Sequence, residues 1–90
     1  MLIQLTSGTS LTIIEGKSVL FSVKTGESYG LNDIAAEMLT LCHEGGIDHA
    51  VERLAKDYNA TSEEIRNDID ELVRNLVKIK LVQMVPRQGS

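Results

Sequence analysis

Aromatic side chains are almost absent from this chain: Phe21, Tyr29 and Tyr58 are the full set, and tryptophan is missing. Whatever core forms must therefore be aliphatic. Cysteine is equally scarce, and the single Cys42 rules out an internal disulfide and fits a reducing, cytoplasmic setting. The chain also lacks a positive surplus, with Lys and Arg numbering 9 against 13 Asp and Glu, a formal net charge of −4. Phosphate binding needs a concentrated positive face, and the basic residues offer only a loose Lys78/Lys80 pair, which argues against a nucleic-acid partner. No apolar run approaches the ~20 residues of a membrane helix, and "MLIQLTSGTS" has neither the basic start nor the continuous apolar stretch of a signal peptide. These absences leave a cytoplasmic chain with no membrane or nucleic-acid partner, expected as a monomer.

What is present suits one small domain. Apolar residues make up 42% of the 90 residues, enough for a modest core and little else, so a deep enzyme pocket is not expected. Residues 1–10 read as a lead-in, 11–82 as the domain and 83–90 as a tail. "LTII" (Leu11–Ile14) is β-branched and strand-like, "EGKS" supplies a turn, and "VLFSV" (Val19–Val23) sets Val19, Phe21 and Val23 on one face by alternation. Thr25-Gly26 closes a second hairpin onto a short strand, Glu27–Gly30. A strand that short at the end of a meander is a sheet edge, and edges are hazards that proteins normally cover or charge.

The period then changes to helical. Asn32 is a good N-cap for a helix to about His43, with Ile34, Met38, Leu41 and Cys42 on its stripe. Gly45-Gly46 ends it, and a second helix over 47–58 carries Ile47, Val51, Leu54 and Tyr58. Ser62 is expected to cap a third helix over 62–80, with Glu63 and Glu64 favourable at its N-terminus. On that helix Ile65, Ile69, Leu72 and Leu76 fall within an arc of about 60°, and Ile79, Val73 and Val77 widen it to about 160° where roughly 100° would serve a surface helix. The surplus either offers a flank to a ligand or packs against "LVQMVP". The fold class is thus α+β, a three-stranded antiparallel meander followed by three helices.

Catalytic chemistry is not evident. "GKS" at Gly16–Ser18 lacks the glycine five positions earlier, where Leu11 stands, and the helix afterwards that a phosphate loop needs. Cys42 and His43 are adjacent and cannot share a helix face, which argues against zinc; Cys42 reads as a small core hydrophobe. No nucleophile–base pair is suggested by spacing. The chain is read as a non-enzyme with no cofactor and no metal.

"TGESYGLNDIAAEMLTL" and the segment from Gly45 to Val82 resemble, in ordered combination, the PqqD-like domains, also called recognition elements for precursors of ribosomally made, modified peptides (RiPPs). The matching features are Thr25-Gly26, Tyr29-Gly30-Leu31-Asn32, Ile34 to Leu41, Tyr58, Asp68-Ile69 and the closing Leu81-Val82. Lys80 departs from the family, which usually ends the third helix with glycine, and aromatics are sparse around the short strand. The resemblance implies a winged-helix-like fold that binds the leader of a precursor peptide as an added strand on the short strand, in a groove against the third helix. The residues it points to are Val23, Lys24, Glu27, Ser28, Tyr29 and Gly30 on the sheet side, and Asp68, Leu72, Asn75 and Leu76 on the helix, with Val73 and Val77 as the alternative wall. Expected partners are the leader and separate enzymes: a leader-cleaving protease and a cyclase of lasso-peptide type, preferred because no catalytic domain is fused, or else a radical enzyme.

A winged-helix DNA-binding module and a plain dimerisation module are the rival readings. A mobility-shift assay in about 50 mM salt, where electrostatic binding is strongest, is expected to show no complex with duplex DNA; a retarded band would reinstate the first rival.

Overall fold

The computed structural model describes residues 2–86. Its central sheet is the expected meander: β2 (Thr9–Ile14), β3 (Lys17–Ser22) and β4 (Ser28–Leu31), antiparallel in that order. The β2–β3 turn is two residues long, with Glu15 at φ 50° and Gly16 at φ 79°. Both central residues at positive φ make a turn whose twist matches that of the strands it joins. The second connection is longer than the Thr25-Gly26 turn expected. Buried Ser22 organises it: its Oγ accepts from the N–H groups of Lys24 (3.2 Å) and Thr25 (3.3 Å), and its carbonyl accepts from Gly26 N–H at 2.9 Å. Val23 is thereby drawn out of the strand.

Alternation along β3 is as expected, and its core side is the face opposite Phe21 and Val23. Leu20, fully buried, and Ser22 face inward, while Phe21 and the 74% exposed Val23 face water. A period of two identifies which residues share a face; only the helix stacked on the sheet decides which face is dry.

Three helices follow. In α1 (Asp33–Gly45) the Asn32 side chain accepts from Ala35 N–H at 2.7 Å, as its N-cap role requires. Gly46 at φ 94° turns the chain into α2 (Ile47–Asp57). The cap of α3 (Ser62–Lys78) is Thr61, accepting from Glu64 N–H at 3.1 Å, and not Ser62, which already lies in the first turn. The helical stripes bury Met38, Leu41, Cys42, Val51, Leu54, Ile65, Ile69 and Leu76, joined by Leu39 and Ala50. Ile34 and Tyr58 lie outside the core; the Tyr58 hydroxyl donates to Glu37 Oε2 at 2.8 Å on the surface.

The two ends of the chain meet. β1 (Leu2–Leu5) pairs antiparallel with β5 (Val82–Val85) in a second, two-stranded sheet, so the described residues form five strands and not only the three of the meander. Of the residues set apart as lead-in, Ile3 joins the core, and residues 83–85 of the tail pair with β1; 87–90 lie outside the described residues. The link from α3 to β5 is a Schellman turn: Leu81 N–H donates to the Leu76 carbonyl (3.0 Å) and Lys80 N–H to the Val77 carbonyl (3.0 Å). Lys80 takes the left-handed position at φ 62°, where glycine is the unstrained choice.

Two substitutions test these features by urea unfolding. Ile3→Ala is expected to cost about 2–4 kcal/mol, because Ile3 is 1% exposed and a cavity is left behind. Lys80→Gly is expected to stabilise by about 1 kcal/mol, by removing the Cβ penalty of the left-handed position.

Candidate functional site

β4 is the outer strand of its sheet, and its backbone can be accounted for group by group. Ser22 N–H donates to the Glu27 carbonyl at 3.0 Å, one step beyond the Phe21–Ser28 pair. Hydrogen-bonded and non-bonded pairs alternate along an antiparallel ladder, so Tyr29 and Leu31 turn both backbone groups toward β3. Ser28 and Gly30 turn theirs outward. No strand among the described residues pairs with them. A Cβ built on Gly30 would meet nothing within 4 Å, so the outer face of the sheet is uncovered at this residue.

The expected residues divide clearly around this edge. Tyr29 shares the inner face with Leu20 and is half-buried; Leu72 on α3 is half-buried against the same core. Asp68 and Asn75 are exposed about one turn on either side of Leu72. Ile79, also half-buried, belongs to the same flank, as its place on the helical arc allowed.

Four expectations are corrected. Leu76 is fully buried and serves the core, so it cannot line a groove. Val23 lies in the turn after β3 and donates its N–H to Gly8 at the opposite edge of the sheet. Lys24 goes the same way, with its stem against Gly8 and its Nζ 3.1 Å from Ser7 Oγ. Glu27 offers no open backbone group, since its carbonyl is taken by Ser22 and its N–H by Thr25 Oγ1 at 3.1 Å. The loop organised by Ser22 carries Val23 and Lys24 toward the β2 side, whereas Glu27 stays in register with Ser22 and is closed by Thr25.

The alternative wall is also placed. Val73 is buried in the core, and it and Val77 border a hollow of about 640 Å³ shared with Ile47 and Met84, to which β4 contributes nothing. Leu72 and Ile79 form the half-buried flank on the other side of α3.

Reactive groups are few. Burial pushes the Cys42 thiol up to about 11, which keeps it protonated and poorly nucleophilic at neutral pH. His43 Nδ1 lies 2.9 Å from the Ile3 carbonyl and so ties α1 to β1. Among the described residues no group of three or more His, Cys, Asp or Glu is placed to hold a metal, and no helix is long and apolar enough to cross a membrane. The arrangement offers an open strand and an apolar flank.

Comparison with known proteins agrees with this architecture. The family model for coenzyme PQQ synthesis protein D (PqqD) matches residues 17–82, most of the chain. The chain belongs to the PqqD family. Two solved structures share the PqqD-like fold. "Lasso peptide synthetase B1 complexed with the leader peptide" superposes with a TM-score of 0.83 at 23% identity, covering 91% of this chain and 98% of that one. "TbiB1 in Complex with the TbiA(beta) Leader Peptide" gives 0.78 at 19% identity, covering 93% and 99%. None of the curated proteins compared matches the chain. The PqqD match begins at β3, so β1 and β2 lie outside it.

The Cys42 environment makes a pH prediction. The folded state holds the thiol proton to about pH 11, whereas the unfolded chain releases it near its ordinary value of 9.0. Above that value the unfolded state binds fewer protons, so stability is expected to fall between about pH 9 and 11, by on the order of 2 kcal/mol. Cys42→Ala is expected to cost about 1 kcal/mol at neutral pH and to flatten this alkaline decline; both follow from denaturant midpoints across the pH range.

Proposed function

We propose that this chain binds the leader segment of a ribosomally synthesised precursor peptide by strand addition to β4. The observation that carries the reading is the outward pair of backbone groups at Ser28 and Gly30, on an edge that nothing among the described residues covers. The leader peptides held by both structural neighbours support it. Strand addition draws affinity from main-chain bonds, and side-chain contacts choose the sequence. Ser28 and Gly30 supply the ladder. Tyr29 and Leu72 flank an apolar or aromatic leader side chain, and Asp68 and Asn75 fix the register by hydrogen bonds.

In this role the chain is a binding protein and not a catalyst. It holds the leader while separate enzymes act on the rest of the precursor. A lasso-peptide protease and cyclase are the preferred partners, with a radical crosslinking enzyme next. The unpaired, buried Cys42 is compatible with work in the cytoplasm.

Isothermal calorimetry with a leader of about 10–20 residues, taken from a precursor gene beside that of this chain, tests the site. Ser28→Pro removes an outward donor without touching the bonds to β3, so the fold is expected to survive while binding weakens at least tenfold, about 1.4 kcal/mol. Leu72→Asp places a charge in the apolar flank and is expected to do the same. If both folded variants bind as tightly as the parent chain, the leader does not use this edge.

A further inference from the structure

The opposite edge of the same sheet is open as well. Val23 N–H donates to the Gly8 carbonyl at 2.9 Å, one step beyond the Thr9–Ser22 pair. Alternation then gives the bonds to β3 to Ser10, Thr12 and Ile14, and turns the backbone groups of Thr9, Leu11 and Ile13 outward. Thr9 is partly satisfied, because its N–H donates to the Thr6 carbonyl at 2.9 Å. The open ladder is therefore Leu11 and Ile13. Their side chains, 43% and 72% exposed, share the inner face with Leu20. Leu11 also borders an apolar cavity of about 360 Å³ lined by Ile3, Leu5, Leu39 and His43. Between Thr9 and Ile14 there is no charge and no proline, so the usual devices that blunt an edge are missing.

We propose that two copies of this chain pair antiparallel along β2, with Thr12 opposite Thr12. The two open residues flank Thr12 symmetrically, so a two-fold axis there satisfies all their outward groups. Leu11 of each copy exchanges both backbone bonds with Ile13 of the other. The same register keeps Leu11 and Ile13 of both copies on the inner face, directly opposite each other. On the outer face threonine meets threonine, a favourable cross-strand pair.

Charge agrees at the ends of this ladder. The register sets Glu15 of the second copy opposite Thr9, beside the Ser7–Gly8 turn along which Lys24 lies. Size sets the strength. The exposed parts of Leu11, Ile13 and Ile14 amount to roughly 300 Å² per copy, against about 800 Å² in a standard interface, so the dimer is weak and concentration-dependent. It forms one six-stranded sheet whose two outer edges are the β4 strands, and both remain free. This pairing differs from the monomer expected above and does not depend on what β4 binds.

Sedimentation velocity on the full chain from about 5 to about 500 µM is expected to show a monomer–dimer equilibrium with a Kd on the order of 100 µM. Ile13→Pro, which removes an outward N–H, and Ile13→Lys, which charges the edge, are each expected to raise Kd at least about tenfold. Ile13 is mostly exposed, and circular dichroism checks that both variants fold. Ser28→Pro, on the other edge, is expected to leave Kd within about twofold. The proposal is overturned if the parent chain stays monomeric throughout, which would leave β2 to a different polypeptide. It is equally overturned if the dimer ignores both Ile13 variants, or if Ser28→Pro disperses it as strongly as they do.

Discussion

Every strand in a sheet has two rows of backbone groups to satisfy, and in the three-stranded sheet only β3 satisfies both. Its odd residues bond to β2 and its even residues to β4. Each outer strand is left with one bonded row and one open row, and the parity of the ladder decides which residues stand open. On β4 these are Ser28 and Gly30; on β2 they are Leu11 and Ile13. The interactive capacity of the molecule follows from that parity more directly than from any side chain.

The remainder of the fold keeps this sheet in place. Leu20 anchors its inner face in an aliphatic core shared with α1, α2 and α3. The core is closed from below by β1 and β5, which bring the two ends of the chain together and bury Ile3, Leu81 and Val82. Local strain is tolerated where the chain must reverse. Glu15, Asn59 and Lys80 all take positive φ, the first in a hairpin and the other two just after helices. Lys80 is the clearest case, because its turn also delivers buried Leu81 into the core, and that burial offsets the unfavourable backbone of a lysine.

The two edges differ in what surrounds them. β4 is short and lies between a loop bearing Glu27 and the capped start of α1 at Asn32 and Asp33. β2 is longer, uncharged and exposed along nearly its whole length. β4 carries the half-buried Tyr29 on its inner face, so the proposed guest strand has a side chain to read there. β2 presents only aliphatic and hydroxyl side chains, a surface better suited to a like partner than to reading a peptide.

Local information in the sequence was sufficient for the meander, the three helices, the Asn32 cap and the strain at Lys80, because each depends on residues within one or two turns of one another. The family membership was legible for the same reason, in the run from Thr25 through Asn32 into α1. Long-range packing decided the rest. The β1–β5 pairing joins residues some eighty positions apart and leaves no local trace. Alternation could group Val19 with Phe21, but only the stacking of α1 made that face the wet one. Leu72 and Leu76 lie on one arc of α3, yet Leu76 is sealed by neighbouring elements while Leu72 stays at the margin. Val23 and Lys24 were drawn away from the open ladder by the Ser22 loop, a tertiary event: period and propensity describe a strand as if it were alone, and which of its hydrogen bonds remain free depends on its partner.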